Sequence, residues 1–328
     1  MTEPVLAESS LQMPTIVDVY EARRRIAPYL RPTPLYRHPA LCELLGTDVW
    51  VKHENHQPIG VFKIRGGINL VALLTDEERR AGVVTASTGN HGQSVARSGQ
   101  LFGVHAVIVV PEGANPLKVR AMERLGAEVL ARGRDFDAAR EFAERLAVER
   151  GCRYVHVANE PPVIAGVATE TLEVFEELPD VDVIFGPVGG GSGMAGACVV
   201  ARALSPQTQV VAVQAEAAPA ACRSWQARRL LEDRMETSAE GVATRVGFEL
   251  TQRILWDGLT DFLLVTEEEI RHATATMIEA TRTLVEPAGA LALAGALRMR
   301  DSLAGRKVVL RCTGGNISPA QLREVLRG

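Results

Sequence analysis

Ile184-Phe185-Gly186-Pro187-Val188-Gly189-Gly190-Gly191-Ser192-Gly193 runs from an apolar strand through five small residues into the helical pattern Gly193 to Leu204. A strand that is apolar throughout, rather than alternating, is one covered on both faces, as in a parallel sheet packed between helices. The same rhythm extends outward on both sides. Strand-like runs at Val83 to Ala86, Ala106 to Val110, Ala127 to Leu130 and Tyr154 to Val157 alternate with helical stretches at Asn90 to Phe102, Pro116 to Leu125 and Asp135 to Glu149. Beyond Glu160 the helix Val163 to Glu177 and the strands Val183 to Val188, Val210 to Gln214, Phe262 to Val265 and Val308 to Leu310 continue it. The class is α/β, with two parallel-sheet regions meeting near residue 160, and the active site belongs in the cleft where strand ends from both halves meet. Between Ala217 and Val246 the pattern is broken.

At the N-terminal end Thr15 to Tyr29 reads as an amphipathic helix, closed by the prolines of Arg31-Pro32-Thr33-Pro34-Leu35, and the polar tail before it is expected to be disordered. Thr266 with Glu269, and Ser318 with Gln321, form capping boxes for two late helices.

With 328 residues, 46% of them hydrophobic, the chain can bury one large core or two moderate ones. A net charge of -4 without a basic stripe argues against nucleic acid as a partner. No apolar run is long enough to span a bilayer, and Met1 to Ser10 lacks the basic and apolar regions of a signal peptide, so a cytoplasmic protein is expected. Cys42, Cys152, Cys198, Cys222 and Cys312 are scattered, with no zinc spacing, and read as reduced, mostly buried small hydrophobes.

Three motifs could carry chemistry. Gly189 to Gly193 stands between strand and helix, where bare backbone N–H groups and the helix N-terminus make a cup for a phosphate; a tight strand-to-helix turn is the plainer alternative. No acid follows where a dinucleotide ribose needs one, so a phosphate monoester fits better than a nucleotide. Ser87-Thr88-Gly89-Asn90-His91-Gly92 occupies the same position after another strand and suits a carboxylate, or simply an N-cap. In Gly60-Val61-Phe62-Lys63-Ile64-Arg65-Gly66-Gly67, Lys63 sits between an aromatic and an apolar residue. Desolvation there would favour its neutral, nucleophilic amine, the state a Schiff base requires, although a lone lysine more commonly snorkels at a surface.

Taken together, Val61 to Gly66, Ser87 to Gln93, Gly189 to Gly193 and Thr313-Gly314-Gly315-Asn316 resemble, in this order, the serine/threonine dehydratase and serine racemase group of fold type II pyridoxal-phosphate enzymes. The resemblance runs from Thr33-Pro34-Leu35 to Asn316. Lys63-Ile64-Arg65 and Asn90-His91-Gly92 favour this group over the cysteine synthase branch, which shows Lys-Asp-Arg and Thr-Ser-Gly-Asn-Thr-Gly. It implies the tryptophan synthase β-like fold, with residues 1–75 and 160–328 forming a large cofactor domain and residues 76–159 a small one. It further implies that Lys63 carries pyridoxal 5'-phosphate covalently and removes the substrate α-proton. Phe62 and the backbone of Gly241 would flank the pyridine ring, and Asn90 would address its phenolic oxygen. Gly189, Gly190, Gly191, Ser192 and Gly193 would hold the phosphate, Thr313 the pyridine nitrogen, and Ser87, Thr88 and His91 the substrate carboxylate. A hydroxyl rather than an acid at the pyridine nitrogen favours β-elimination. The implied activity is dehydration and deamination of a β-hydroxy amino acid such as L-threonine or L-serine, by a homodimer.

Several residues depart from the group's pattern. Val61, Val157-Ala158 and Val167 replace residues near the expected substrate pocket, which leaves open 3-hydroxyaspartate, phenylserine or a hydroxyectoine-derived amino acid. Thr88 stands where racemases use serine as their second acid/base, so serine racemase is the weaker alternative, and a catalytically dead sensor would have lost Lys63 or the glycines. Ala215 and Ala221 fall where metal-activated relatives carry acids, with Glu216 one residue off, so no tight magnesium is expected. His53 and His56 read as solvated. After Asn316 no C-terminal regulatory domain is expected, nor feedback by a branched-chain amino acid.

Overall fold

The computed structural model describes residues 12–134 and 136–327. The tail before residue 12 and the expected helix start at Asp135 lie outside the described residues. Ten strands follow in chain order: β1 (Leu35–Arg37), β2 (Asp48–His53), β3 (Val83–Ala86), β4 (Ala106–Val110), β5 (Glu128–Ala131), β6 (Arg153–Tyr154), β7 (Val183–Pro187), β8 (Gln209–Ala215), β9 (Asp261–Val265) and β10 (Lys307–Cys312).

They form two sheets. The larger has the order β1-β2-β10-β7-β8-β9, and the smaller β5-β4-β3-β6. Every pairing is parallel except the edge pair β1–β2, which is antiparallel with Leu35 opposite Lys52. The side-chain period of two explains why these strands are apolar throughout. In β8, Val211 and Val213 enter one core beneath the helix Pro287–Arg298, while Val210 and Ala212 enter another with Leu172, Ala195 and Ala197. In the small sheet Ile108 and Val110 face one core, and Val107 and Val109 the other.

The β3 and β4 bounds and the helix Asn90–Phe102 match the sequence reading. The expected strand Tyr154 to Val157 is shorter and earlier: β6 has two residues, and from His156 the chain turns to deliver the helix Pro161–Glu177. The helices Pro39–Leu45, Asp76–Ala81, Glu249–Gly258 and Pro287–Arg298 were not read from the pattern. The last of these is buried all round, so it has no polar stripe to give a helical period. The broken region holds a helix at Ala220–Ala227, a bridge between Glu232 and Val246, and a 3-10 turn at Glu240–Val242. Both expected capping boxes form, and Thr15/Asp18 and Thr75/Glu78 add two more.

Candidate active site

A cavity of about 1890 Å³ is lined by loops and helix starts from both halves of the chain, among them Lys63, Ser87, Thr88, Asn90, His91, His156, Gly190, Gly241 and Phe248. Lys63 is the residue immediately before the helix Ile64–Ala72, whose following turn is pinned from below. The buried guanidinium of Arg65 takes Glu54 on Nε (2.8 Å) and Nη2 (2.7 Å), and Glu173 on Nη1 (2.7 Å) and Nη2 (2.8 Å). Lys52 Nζ joins the same network through Glu173 at 2.6 Å. Ser94 Oγ donates to the Lys63 carbonyl at 2.6 Å, and Phe62 N donates to the Thr313 carbonyl at 3.0 Å.

The Lys63 side chain itself is unclaimed. Its Nζ makes no hydrogen bond or ion pair among the described residues and lies 5.3 Å from the centroid of the Phe62 ring. Burial strips water from the ammonium and pushes its pKa down to about 8, with Glu286 opposing the shift. The amine is therefore partly neutral at neutral pH.

The second motif opens the helix Asn90–Phe102. Ser87 Oγ accepts from Gly92 N (2.8 Å) and Gly89 N (3.2 Å), so the hydroxyl caps the turn and keeps its own proton to donate. Thr88 is exposed, whereas His91 is buried. Asn90 Nδ2 donates to Glu286 Oε1 at 2.8 Å and Asn90 Oδ1 accepts from Asn316 Nδ2 at 2.8 Å, which leaves one Asn90 N–H unspent. His91 Nε2 is buried with no hydrogen-bond partner among the described residues. Burial, then the neighbouring Lys63 and His156, hold the His91 pKa down at about 3, so this ring is neutral.

The glycine loop is required by contact as well as by dihedrals. A Cβ on Gly189 would stand 2.6 Å from the Gly241 carbonyl oxygen, and one on Gly193 would stand 3.2 Å from the Phe62 ring. Gly191 has φ +90° and would meet Thr251 at 2.9 Å. Ser192 then starts the helix Ser192–Leu204, so the free N–H groups of its first turn belong to this loop. Gly189 thus lies against Gly241, Gly193 against Phe62, and Phe62 against Thr313, while of the expected residues Lys63, Ser87, Thr88, Asn90, His91, Gly190 and Gly241 line the cavity itself. An amine without a partner, a backbone cradle at a helix N-terminus and an orphaned imidazole nitrogen are the groups a phosphorylated aldehyde and an amino acid would occupy, and pyridoxal phosphate fits them.

Four residues at the site escaped the sequence reading. Glu286 is buried beside Asn90, and a Cβ on Gly314 would stand 2.4 Å from its Oε1; burial raises its pKa, with Lys118, Asn90 and Lys63 opposing. Lys118 Nζ would lie 3.3 Å from a Cβ on Gly89 and pairs with Glu240. His156 Nδ1 accepts from Ala158 N (3.0 Å) and Asn159 N (2.9 Å), so its proton sits on Nε2, and burial holds its pKa down at about 4. Arg311, 1% exposed near the end of an apolar strand, is the fourth.

One expectation is corrected outright. His53 is not solvated but 1% exposed: its Nε2 lies 2.9 Å from His38 Nε2 and its Nδ1 3.3 Å from Asn55 Oδ1, while His56 stacks on it from the exposed side. Parallel pairing of β2 with β10 places it on an inner strand. Among the described residues no group of three or more His, Cys, Asp or Glu is arranged to hold a metal ion, and no helix is long and apolar enough to cross a membrane.

Residues 26–314 match the family described as pyridoxal-phosphate dependent enzyme. The chain is 38% identical over 317 residues to the L-threonine ammonia-lyase of Thermotoga maritima, covering 96% of this chain and 78% of that protein. It is 34% identical to the L-threo-3-hydroxyaspartate ammonia-lyase of Saccharomyces cerevisiae, covering 96% and 97%. The solved structure of maize serine racemase superposes with a TM-score of 0.91 at 30% identity, covering 96% and 98%. On the match to most of its length and on these identities, the chain belongs to the pyridoxal-phosphate dependent enzymes, within the serine/threonine dehydratase and serine racemase group of fold type II.

Proposed function

We propose that this chain is a pyridoxal-phosphate-dependent ammonia-lyase that converts a β-hydroxy amino acid, L-threonine or L-serine being the simplest, into a 2-oxo acid and ammonia. The observation that carries this reading is the Lys63 amine, partnerless and of lowered proton affinity, in one cavity with the Ser87 to His91 loop and Gly190. The names of the threonine and hydroxyaspartate ammonia-lyase relatives support the reaction type.

When bound, pyridoxal phosphate supplies a carbonyl carbon that joins an amine and an electron-withdrawing ring. The protein's own groups do the rest. The N–H groups of Gly189 to Gly193 would hold the phosphate. Phe62 and Gly241 would flank the ring, and the unspent N–H of Asn90 would address its phenolic oxygen while Glu286 fixes the amide. The Ser87 hydroxyl, with Thr88 beside it, would donate to the substrate carboxylate. Neutral His91 has one ring nitrogen without a hydrogen-bond partner among the described residues, which would hydrogen-bond the substrate. Lys63 Nζ, once neutral, would take the α-proton. The Thr313 hydroxyl would address the pyridine nitrogen without delivering a full proton to it. A hydroxyl in that role would favour β-elimination.

A second reading, a substrate with a further carboxylate such as 3-hydroxyaspartate, is favoured by Lys118, whose ammonium lies over the Gly89 turn. Incubating the holoenzyme with L-threonine, L-serine and L-threo-3-hydroxyaspartate, and measuring 2-oxo acid and ammonia, separates the two. Equimolar 2-oxo acid and ammonia from at least one of them is expected; racemised amino acid without ammonia would overturn the lyase reading. A homodimer and a cytoplasmic location belong to this proposal, and light scattering and cell fractionation test them.

A further inference from the structure

Directly beneath the glycine loop lies a buried ion pair that the reading above does not use. Arg311 of β10 donates from Nε to Glu170 Oε1 at 2.8 Å and from Nη2 to Glu170 Oε2 at 2.5 Å, and neither residue is more than 1% exposed. Its Nη1 lies 3.0 Å from Met194 Sδ, and its guanidinium carbon 5.9 Å from the centroid of the Phe62 ring. A Cβ on Gly193 would stand 3.3 Å from Nη2 and 3.4 Å from Nη1, and one on Gly186 would stand 3.1 Å from Cδ. The cation is thus the member of the pair that touches the loop, and Glu170 takes it from the helix Pro161–Glu177.

A buried ion pair costs so much desolvation that apolar residues of similar volume commonly replace it without loss of stability. Packing alone therefore does not call for a guanidinium here. A site that must attract a dianionic phosphate does, because the cation adds to the positive end of the helix Ser192–Leu204 from inside the protein, where salt and water screen it little.

We propose that Arg311, held by Glu170, is a positioning residue that raises the loop's affinity for the phosphate group of its ligand while fixing Phe62 from below. This rests on the reading of Gly189 to Gly193 as the phosphate loop. The test measures dissociation constants of pyridoxal 5'-phosphate and of pyridoxal for the apoprotein by absorbance titration, and takes their ratio as the readout.

The double variant Arg311→Met/Glu170→Leu removes both charges and leaves no buried ion behind. Because the cation lies against the loop and the anion behind it, two opposed terms are lost and only their difference acts, so pyridoxal 5'-phosphate is expected to bind about threefold more weakly with pyridoxal unchanged. Arg311→Lys keeps the cation and is expected to keep most of the ratio. Glu170→Gln removes the counter-charge and is expected to shift the ratio the other way. An unchanged ratio in the double variant, or equal weakening of both ligands, would overturn the proposal by reducing the pair to packing. Should the wild-type protein show no preference for the phosphorylated ligand, the phosphate-loop reading itself fails, and the two failures are told apart.

Discussion

The Lys63 amine can be titrated by following how fast the protein captures its cofactor. Capture of an aldehyde requires the neutral amine, so the rate tracks the deprotonated fraction. With a pKa of about 8, about half of the protein carries a neutral Lys63 at pH 8. An ordinary lysine of pKa about 10.4 would be neutral in only about four molecules per thousand. The structure thus predicts capture roughly a hundredfold faster than by an exposed lysine at that pH. Stopped-flow mixing of apoprotein with pyridoxal 5'-phosphate between pH 6 and 11 measures it, with the midpoint of the rate expected near 8. Glu286 is the one group that holds the Lys63 pKa up against burial, so Glu286→Gln should move the midpoint lower still. A rate that keeps climbing past pH 10, or a midpoint raised by Glu286→Gln, would refute this account of the amine's environment.

Gly189→Ala places a methyl 2.6 Å from the Gly241 carbonyl and 2.9 Å from Val242 Cα, both backbone, and should abolish tight cofactor binding; Gly190→Ala, at 3.3 Å from Ala158 Cβ, should weaken it less, as cofactor titration will show. Arg65→Met leaves Glu54 and Glu173 without their main cation and should cost about 3–5 kcal/mol in urea unfolding, whereas a loss under 1 kcal/mol would contradict a shared buried network. Acid should unfold the protein early. His53, His91 and His156 sit at about 4, 3 and 4 in the fold, below the usual 6.5, so the unfolded chain binds more protons. Their contribution is complete above pH 6.5 and is lost as pH falls toward 4, with a slope approaching three protons near pH 5; carboxylates held low, such as Glu54, add to the loss only below about 4.5, and Glu160 and Glu286, raised by burial, act with the opposite sign. Urea midpoints that do not move between pH 7 and 5 would contradict this.

The sheets were legible because burial on both faces leaves an unbroken apolar strand, and the loops because glycine and small hydroxyl residues are what a backbone cradle requires. What escaped was what only the fold creates. Glu286 reaches Asn90 from 196 positions away, and Glu170 reaches Arg311 from 141, separations no local pattern records. A signal did exist: Lys52 and Arg311 each end an apolar strand run, and a charge inside a buried strand demands a partner. His53 was misread for the related reason that its exposure depends on which strand pairs beside β2. His156 could not be assigned a tautomer until the two amides on Nδ1 were seen.

The central claim is that one amine among the lysines of this chain holds the cofactor. Borohydride reduction of the holoenzyme, followed by peptide mass mapping, tests it directly. A phosphopyridoxyl group is expected on Lys63 alone and none in Lys63→Ala; modification of another lysine, or an unmodified Lys63, would rule out this attachment.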